Sequence, residues 1–255
     1  MKKANIILIT FLLIPLAVGC AGGSDNGGSS GTAVEGIGSI QTENYANLNL
    51  EYYYYIPASV VENSEELYPV QASVPFFVTV PWINGRGESF VSSTMKQFAD
   101  EEGFVIVSPS FVYDEANWDA KQSYQYPAVW SGDALLEIID QVEEQHNLFA
   151  SDLYLFGFSA GAQFALRFCL WKPYMCEACA AHASGGTVIP TGYIDVAFFV
   201  TVGSSDTDRI SKAQSFCDTA ESYGIDVTYK EYSNVGHTLT QAQIEDSLNF
   251  LRNLE

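Results

Sequence analysis

The run Gly157-Phe158-Ser159-Ala160-Gly161 sets a serine between two glycines, directly after the apolar stretch Leu153 to Phe156 and directly before a helix-like pattern. A serine at a sharp strand-to-helix turn projects its hydroxyl clear of the backbone. Its neighbours two before and two after must then be small, or they would strike the adjoining strand and helix. Gly157 and Gly161 meet that need, so the pattern marks Ser159 as a nucleophile.

A serine hydroxyl is a weak nucleophile at neutral pH and needs a base to take its proton and an acid to orient the base. The chain has three histidines. His146 precedes the strand that leads to Ser159, which puts it at the wrong end of a sheet and in solvent. His182 ends a strand of small residues, where it either lines a site or packs. His237 follows the last strand in Ser233-Asn234-Val235-Gly236-His237-Thr238, a glycine-containing loop, and is the expected general base. The acid is sought in Gly203-Ser204-Ser205-Asp206-Thr207-Asp208. Asp206 lies nearer the strand end and is preferred, with Asp208 as the alternative. The order Ser, Asp, His along the chain suits a strand-turn-helix nucleophile.

A tetrahedral oxyanion also needs backbone N–H donors. Ala160 supplies one through the turn itself. The loop Ile83-Asn84-Gly85-Arg86-Gly87-Glu88-Ser89 is expected to supply the second, from Arg86.

The elements that must hold these groups are legible as alternation. Phe76 to Trp82 and Phe104 to Val107 are continuous apolar runs, as strands buried on both faces require. Leu153 to Phe156, Ala178 to Ala183, Val196 to Val202 and Val227 to Tyr232 continue the strand series. Between them Val91, Met95 and Phe98, then Leu135, Ile138 and Val142, then Ala162, Leu166 and Cys169, recur at helical spacing. Ala213, Phe216 and Ala220, and finally Ile244, Leu248 and Leu251, complete the helices. Alternating strands and helices imply an α/β fold, a mostly parallel sheet with helices on both faces. Reactive groups then gather at the carboxyl ends of the strands. Leu50 to Pro57, with four consecutive tyrosines, is expected to be the first strand and antiparallel.

With these residues in place, the chain resembles the α/β-hydrolase family. Within it the likeness is to exported esterases of the polyhydroxybutyrate depolymerase, feruloyl esterase and dienelactone hydrolase-like type. Asn84-Gly85-Arg86-Gly87 takes the place of that group's His-Gly oxyanion loop, with Asn84 where the group has histidine. Gly157 to Gly161 matches its elbow, and Gly203-x-x-Asp206 and Gly236-His237 match its later loops. The likeness covers nearly all of Leu50 to Glu255. It implies a carboxylesterase-type serine hydrolase working through an acyl-enzyme, without metal or organic cofactor, on acetyl, feruloyl or other polysaccharide-linked esters. The rival readings are a serine peptidase on the same fold and a non-catalytic surface-binding lipoprotein. Phe111 to Trp130 is rich in aromatics, and Tyr113, Trp118 and Trp130 are expected to wall a substrate pocket, the alternative being a packed loop.

The chain begins with Lys2-Lys3 and an apolar run to Val18, followed by Gly19-Cys20. A basic start, a short apolar core and small residues describe an export signal. Ala17-Val18-Gly19-Cys20 resembles a bacterial lipobox, which implies cleavage before Cys20 and lipidation of its sulfur. Residues 1–19 are then the signal, 20–44 a flexible Gly/Ser-rich tether, and 45–255 one catalytic domain. The protein is expected in the bacterial envelope, anchored by lipid. Eleven basic residues stand against thirty-one acidic ones, for a net charge of −20. Such a surface repels nucleic acid phosphates and leaves neutral or cationic partners. In an exported protein Cys169, Cys176, Cys179 and Cys217 permit two disulfides. Cys176-x-x-Cys179 lacks the second pair or the spaced histidines of a zinc site.

Overall fold

The computed structural model describes residues 31–42 and 49–254. The lipobox, Cys20 and most of the expected tether lie outside the described residues.

An eight-stranded sheet forms the body of the domain, in the order β1-β2-β4-β3-β5-β6-β7-β8. The strands are β1 (Val34–Gln41), β2 (Asn49–Ile56), β3 (Ala72–Val80), β4 (Val105–Pro109), β5 (Leu148–Phe158), β6 (Cys176–His182), β7 (Ala197–Gly203) and β8 (Val227–Tyr232). The first two pairings, β1 with β2 and β2 with β4, are antiparallel, and the rest are parallel. The expected α/β architecture is present.

Side chains of each parallel strand alternate between two cores. Leu153, Leu155, Phe198 and Val200 enter the first, with residues of α1 (Ala58–Leu67), α4 (Ser131–His146), α5 (Ala160–Trp171) and α6 (Thr207–Ser222). Phe77, Phe156, Phe158 and Phe199 enter the second, with residues of α2 (Gly87–Phe90), α3 (Ser93–Glu102) and α7 (Gln241–Arg252). Burial on both faces explains the unbroken apolar runs, because neither face of these strands meets water.

Three expectations need correction. The sheet begins at Val34, inside the segment assigned to the tether, so the tyrosine strand is the second strand. β1 is hidden in the sequence by Gly36 and Gly38, which weaken any strand pattern. Gly36 pairs with Tyr54 and Gly38 with Tyr52. A Cβ on Gly38 would overlap the Tyr52 ring, so the glycines make room for the rings lying across them. Second, Cys169, Cys176, Cys179 and Cys217 are all free and buried. Cys169, Cys176 and Cys179 cluster between α5 and β6, where burial raises the Cys169 thiol well above the usual range. Third, His146 is not solvated. It packs against Tyr54 with ring centroids 5.2 Å apart, and burial pushes its titration down.

Candidate active site

The turn after β5 is built as its glycines require. A Cβ on Gly157 would overlap the Gly161 carbonyl oxygen, and one on Gly161 would overlap the Val80 carbonyl oxygen at the end of β3. Between them Ser159 takes φ 60°, ψ −113°, a conformation that costs a non-glycine residue on the order of 1–3 kcal/mol. The strain is held by the sheet, since Ser159 N donates to His182 O at 2.9 Å.

Two further loops are stitched together over the ends of β7 and β8. Ser204 N donates to Tyr232 O and Ser205 N to Val235 O, both at 2.9 Å, and Asn234 N donates to Ser204 Oγ at 2.8 Å. Gly203 lies so close under Val235 that a Cβ there would overlap the Val235 oxygen. These bonds carry His237 from the β8 side across to Asp206 and Ser159. The Ser159 hydroxyl donates to His237 Nε2 at 3.0 Å, and His237 Nδ1 donates to Asp206 Oδ2 at 2.8 Å. The imidazole lies on the Phe158 ring, with centroids 5.0 Å apart and planes at 25°. Asp206 is the N-cap residue of α6, and its side chain is 4% exposed. The His237 side chain is 36% exposed, so the serine-imidazole end of the chain opens to the surface. Such a line can move a proton from hydroxyl to imidazole while the carboxylate stabilises the imidazolium that forms.

Asp208, the alternative acid, is exposed in the first turn of α6, where it complements the positive end of the helix. Another residue of that turn escaped the sequence reading. Arg209 Nη1 donates to Asp206 Oδ1 at 2.8 Å, so the carboxylate is held on both oxygens. The i,i+3 spacing of Asp206 and Arg209 was the available signal once the helix is known to start at Thr207.

His182 is fully buried and serves as packing. Its Nε2 donates to Ser247 Oγ at 3.0 Å, because the Ser247 hydroxyl is spent on Gln243 O at 2.7 Å. Its Nδ1 accepts from Thr201 Oγ1 at 2.6 Å, and Thr201 in turn accepts from Gln243 Nε2 at 3.1 Å. Burial lowers its pKa to about 3.

The Ala160 amide opens α5, where the first N–H groups have no partner within the helix. The Arg86 expectation does not fit the path of its loop. Arg86 caps α2 and its guanidinium pairs with Glu51 of β2, while Gly87 packs against the Ser108 oxygen of β4. That places Arg86 over β4 and β2, whereas Ser159 follows β5 on the far side of β3. The main chain beside the elbow is Val80-Pro81. Proline has no N–H, so Trp82 carries the first backbone N–H after β3. Asn84 sits at φ 55° and clamps the loop after β4. Its Oδ1 accepts from Tyr113 N at 2.7 Å and its Nδ2 donates to Tyr113 O at 3.3 Å.

The aromatic segment divides. Trp130 is 1% exposed, donates its indole N–H to Gln122 O at 2.7 Å and meets Phe111 edge-on, so it is core and not a pocket wall. Tyr113 and Trp118 are partly buried, with ring centroids 6.1 Å apart, at the reactive edge of the sheet. Among the described residues no group of three or more His, Cys, Asp or Glu side chains is placed to hold a metal ion. No helix among them is long and apolar enough to cross a membrane.

No family model matches the chain. Its backbone, however, superposes on a solved ferulic acid esterase with a TM-score of 0.63 at 13% identity, over 88% of this chain and 97% of that one. The fold is that of the α/β-hydrolases. In sequence the chain is similar to acetylxylan esterase A of Emericella nidulans, 22% identical over 147 residues, which are 56% of this chain and 44% of that protein. It is also similar to feruloyl esterase B of Thermothelomyces thermophilus, 24% identical over 183 residues, 69% of this chain and 56% of that protein. The chain spans about half the length of the curated relatives it matches.

Proposed function

We propose that this α/β-hydrolase is a serine carboxylic-ester hydrolase. The observation that carries the reading is the unbroken line from Ser159 Oγ through His237 to Asp206, at 3.0 and 2.8 Å. In the proposed reaction His237 takes the Ser159 proton as the oxygen attacks the ester carbonyl. The tetrahedral oxyanion rests on the amides of Ala160 and Trp82. Collapse expels the alcohol, which leaves with the proton from His237, and the acyl group stays on Ser159. A water deprotonated by His237 then attacks the acyl-enzyme and releases the acid. The chemistry draws on no metal and no organic cofactor.

An acetyl or feruloyl ester on a polysaccharide is the proposed substrate class. The acetylxylan and feruloyl esterase names of the sequence relatives support it. So does the surface position of Ser159 and His237, which a polymer-borne ester can reach. Tyr113 and Trp118 offer flat aromatic faces suited to an aryl or sugar ring. We also propose that the chain is exported and lipid-anchored through Cys20. Mass spectrometry of the N-terminal peptide would find diacylglycerol on that sulfur, and an unmodified Cys20 in the mature protein would refute the anchor.

Ser159→Ala tests the activity. It should remove turnover of p-nitrophenyl acetate, acetylated xylan and methyl ferulate while the circular dichroism spectrum stays unchanged. Undiminished ester turnover in the variant would refute the assignment. Turnover of peptides but not esters by the wild type would favour a peptidase, and turnover of neither a binding protein.

A further inference from the structure

Arg209 breaks two local rules. It sits in the first turn of α6, where the positive end of the helix disfavours a cation. Its Nε is buried and has no hydrogen-bond partner, which costs free energy that a shorter polar side chain would avoid. Residues that break local rules without visible structural gain concentrate where function requires them. What Arg209 touches is the Asp206 carboxylate, through Nη1 at 2.8 Å on the oxygen that His237 leaves free. The Asp206 side chain is almost wholly buried, while Arg209 and His237 reach it from partly exposed positions.

Coulomb attraction links a carboxylate to any charge on a neighbouring imidazole, and Asp206 lies 2.8 Å from the His237 ring nitrogen. A protonated His237 can take nothing from Ser159. We propose that Arg209 is a positioning residue that acts through Asp206. Its charge offsets part of the carboxylate's field, keeping His237 neutral and competent at lower pH than an unpaired Asp206 would allow. The inference rests on the hydrolase reading for its catalytic meaning, but the electrostatics stand apart from it. The other charged groups near the pair are few. Lys212, one turn along α6, is held on Gly185 O at 2.7 Å; Arg167 of α5 packs over Gly186 and is held on Gln125 O at 2.9 Å and Gln163 Oε1 at 3.2 Å; and Asp208 is exposed. Residues 183–187 after β6 and 238–241 after His237 carry no charge, and the ring against His237 is Phe158.

The direct test is an NMR titration of the His237 ring in the wild type, Arg209→Gln and Arg209→Lys. Only three histidines need assigning, and His182 stays neutral through the range. Arg209→Gln retains an N–H for Asp206 but no charge, and should raise the midpoint at which His237 takes its proton by about 0.5–1 pH unit. Arg209→Lys should return it to within about 0.3 unit of the wild type. The acid limb of kcat/KM for p-nitrophenyl acetate should move by the same amounts in the same direction. An unchanged midpoint would overturn the proposal. So would a lower one, because it would mean that Arg209 serves only to hold Asp206 against the imidazole. Arg209→Met keeps the aliphatic stem and substitutes if the Gln variant does not fold; if neither folds, Arg209 is structural and the proposal fails. The ring titration needs no substrate. A chain without esterase activity but with the expected shift would sink the hydrolase reading and leave this inference standing.

Discussion

The backbone of the candidate nucleophile is tied to the one fully buried histidine: Ser159 N donates to His182 O at 2.9 Å. The side chain of His182 turns away into the ring of hydrogen bonds formed with Thr201, Gln243 and Ser247. One residue thus fixes the strained turn with its main chain and closes the sheet-to-α7 contact with its imidazole.

That network has a pH signature. With its folded value at about 3, His182 lies below the ordinary histidine value of about 6.5. The unfolded chain therefore takes up this proton first as the pH falls. The stabilisation is complete above about pH 6.5 and is lost progressively towards pH 3, reaching about 2 kcal/mol by pH 5. Urea unfolding at pH 7.5 and 5 should show this loss in the wild type. In His182→Gln the pH-dependent part should shrink by about that amount, although the variant is less stable at both pH values. Ester turnover at pH 7.5 should stay within severalfold of the wild type, whereas loss comparable to that of a His237 variant would assign His182 to the chemistry.

Removing members of the proton line should behave differently. His237→Ala and Asp206→Asn should each lower kcat/KM by about 10³–10⁴-fold with the thermal midpoint little changed. Asp208→Asn should leave kcat/KM within about twofold, because its side chain faces solvent in the first turn of α6. Steady-state kinetics on p-nitrophenyl acetate separate the three variants.

The glycines of the elbow make a steric prediction. Gly161→Ala pushes a methyl group into the backbone oxygens of Val80 and Pro81, which cannot move without distorting β3. It should cost about 3 kcal/mol or more and abolish activity. Gly192→Ala meets nothing within 4 Å and should change stability by less than about 0.5 kcal/mol. Thermal denaturation of the two variants checks the contrast.

The proton line was legible in the sequence because strand-helix alternation settles which loops share the carboxyl edge of a parallel sheet. Ser159, Asp206 and His237 each follow a recognisable strand, so their meeting could be inferred without coordinates. Asp206 and Asp208 could only be ranked, since the choice depends on where α6 starts. The path of the loop after β3 was not legible. Loop residues 82–87 double back at Trp82, where Gly85 N donates to Trp82 O at 2.8 Å, and the chain then crosses to β4 before α2. Nothing in local composition reports that path. Strand β1 was lost for a different reason: its glycines are explained only by Tyr52 and Tyr54, the rings of its neighbour.

Trp118 and Trp130 are twelve residues apart and should part company in the laboratory. Trp130→Ala leaves a void between Phe111 and Trp118 and should cost about 3–5 kcal/mol of stability. Trp118→Ala should be milder in stability but raise KM for methyl ferulate more than for p-nitrophenyl acetate. Equal effects on both esters would make Trp118 packing alone.

A fluorophosphonate probe followed by peptide mass spectrometry interrogates the nucleophile itself. The account predicts a single adduct on the peptide carrying Ser159, formed quickly in the wild type and at least about 10³-fold more slowly in His237→Ala. No adduct on the folded wild-type protein, or an adduct on another residue while Ser159 stays unmodified, would contradict it.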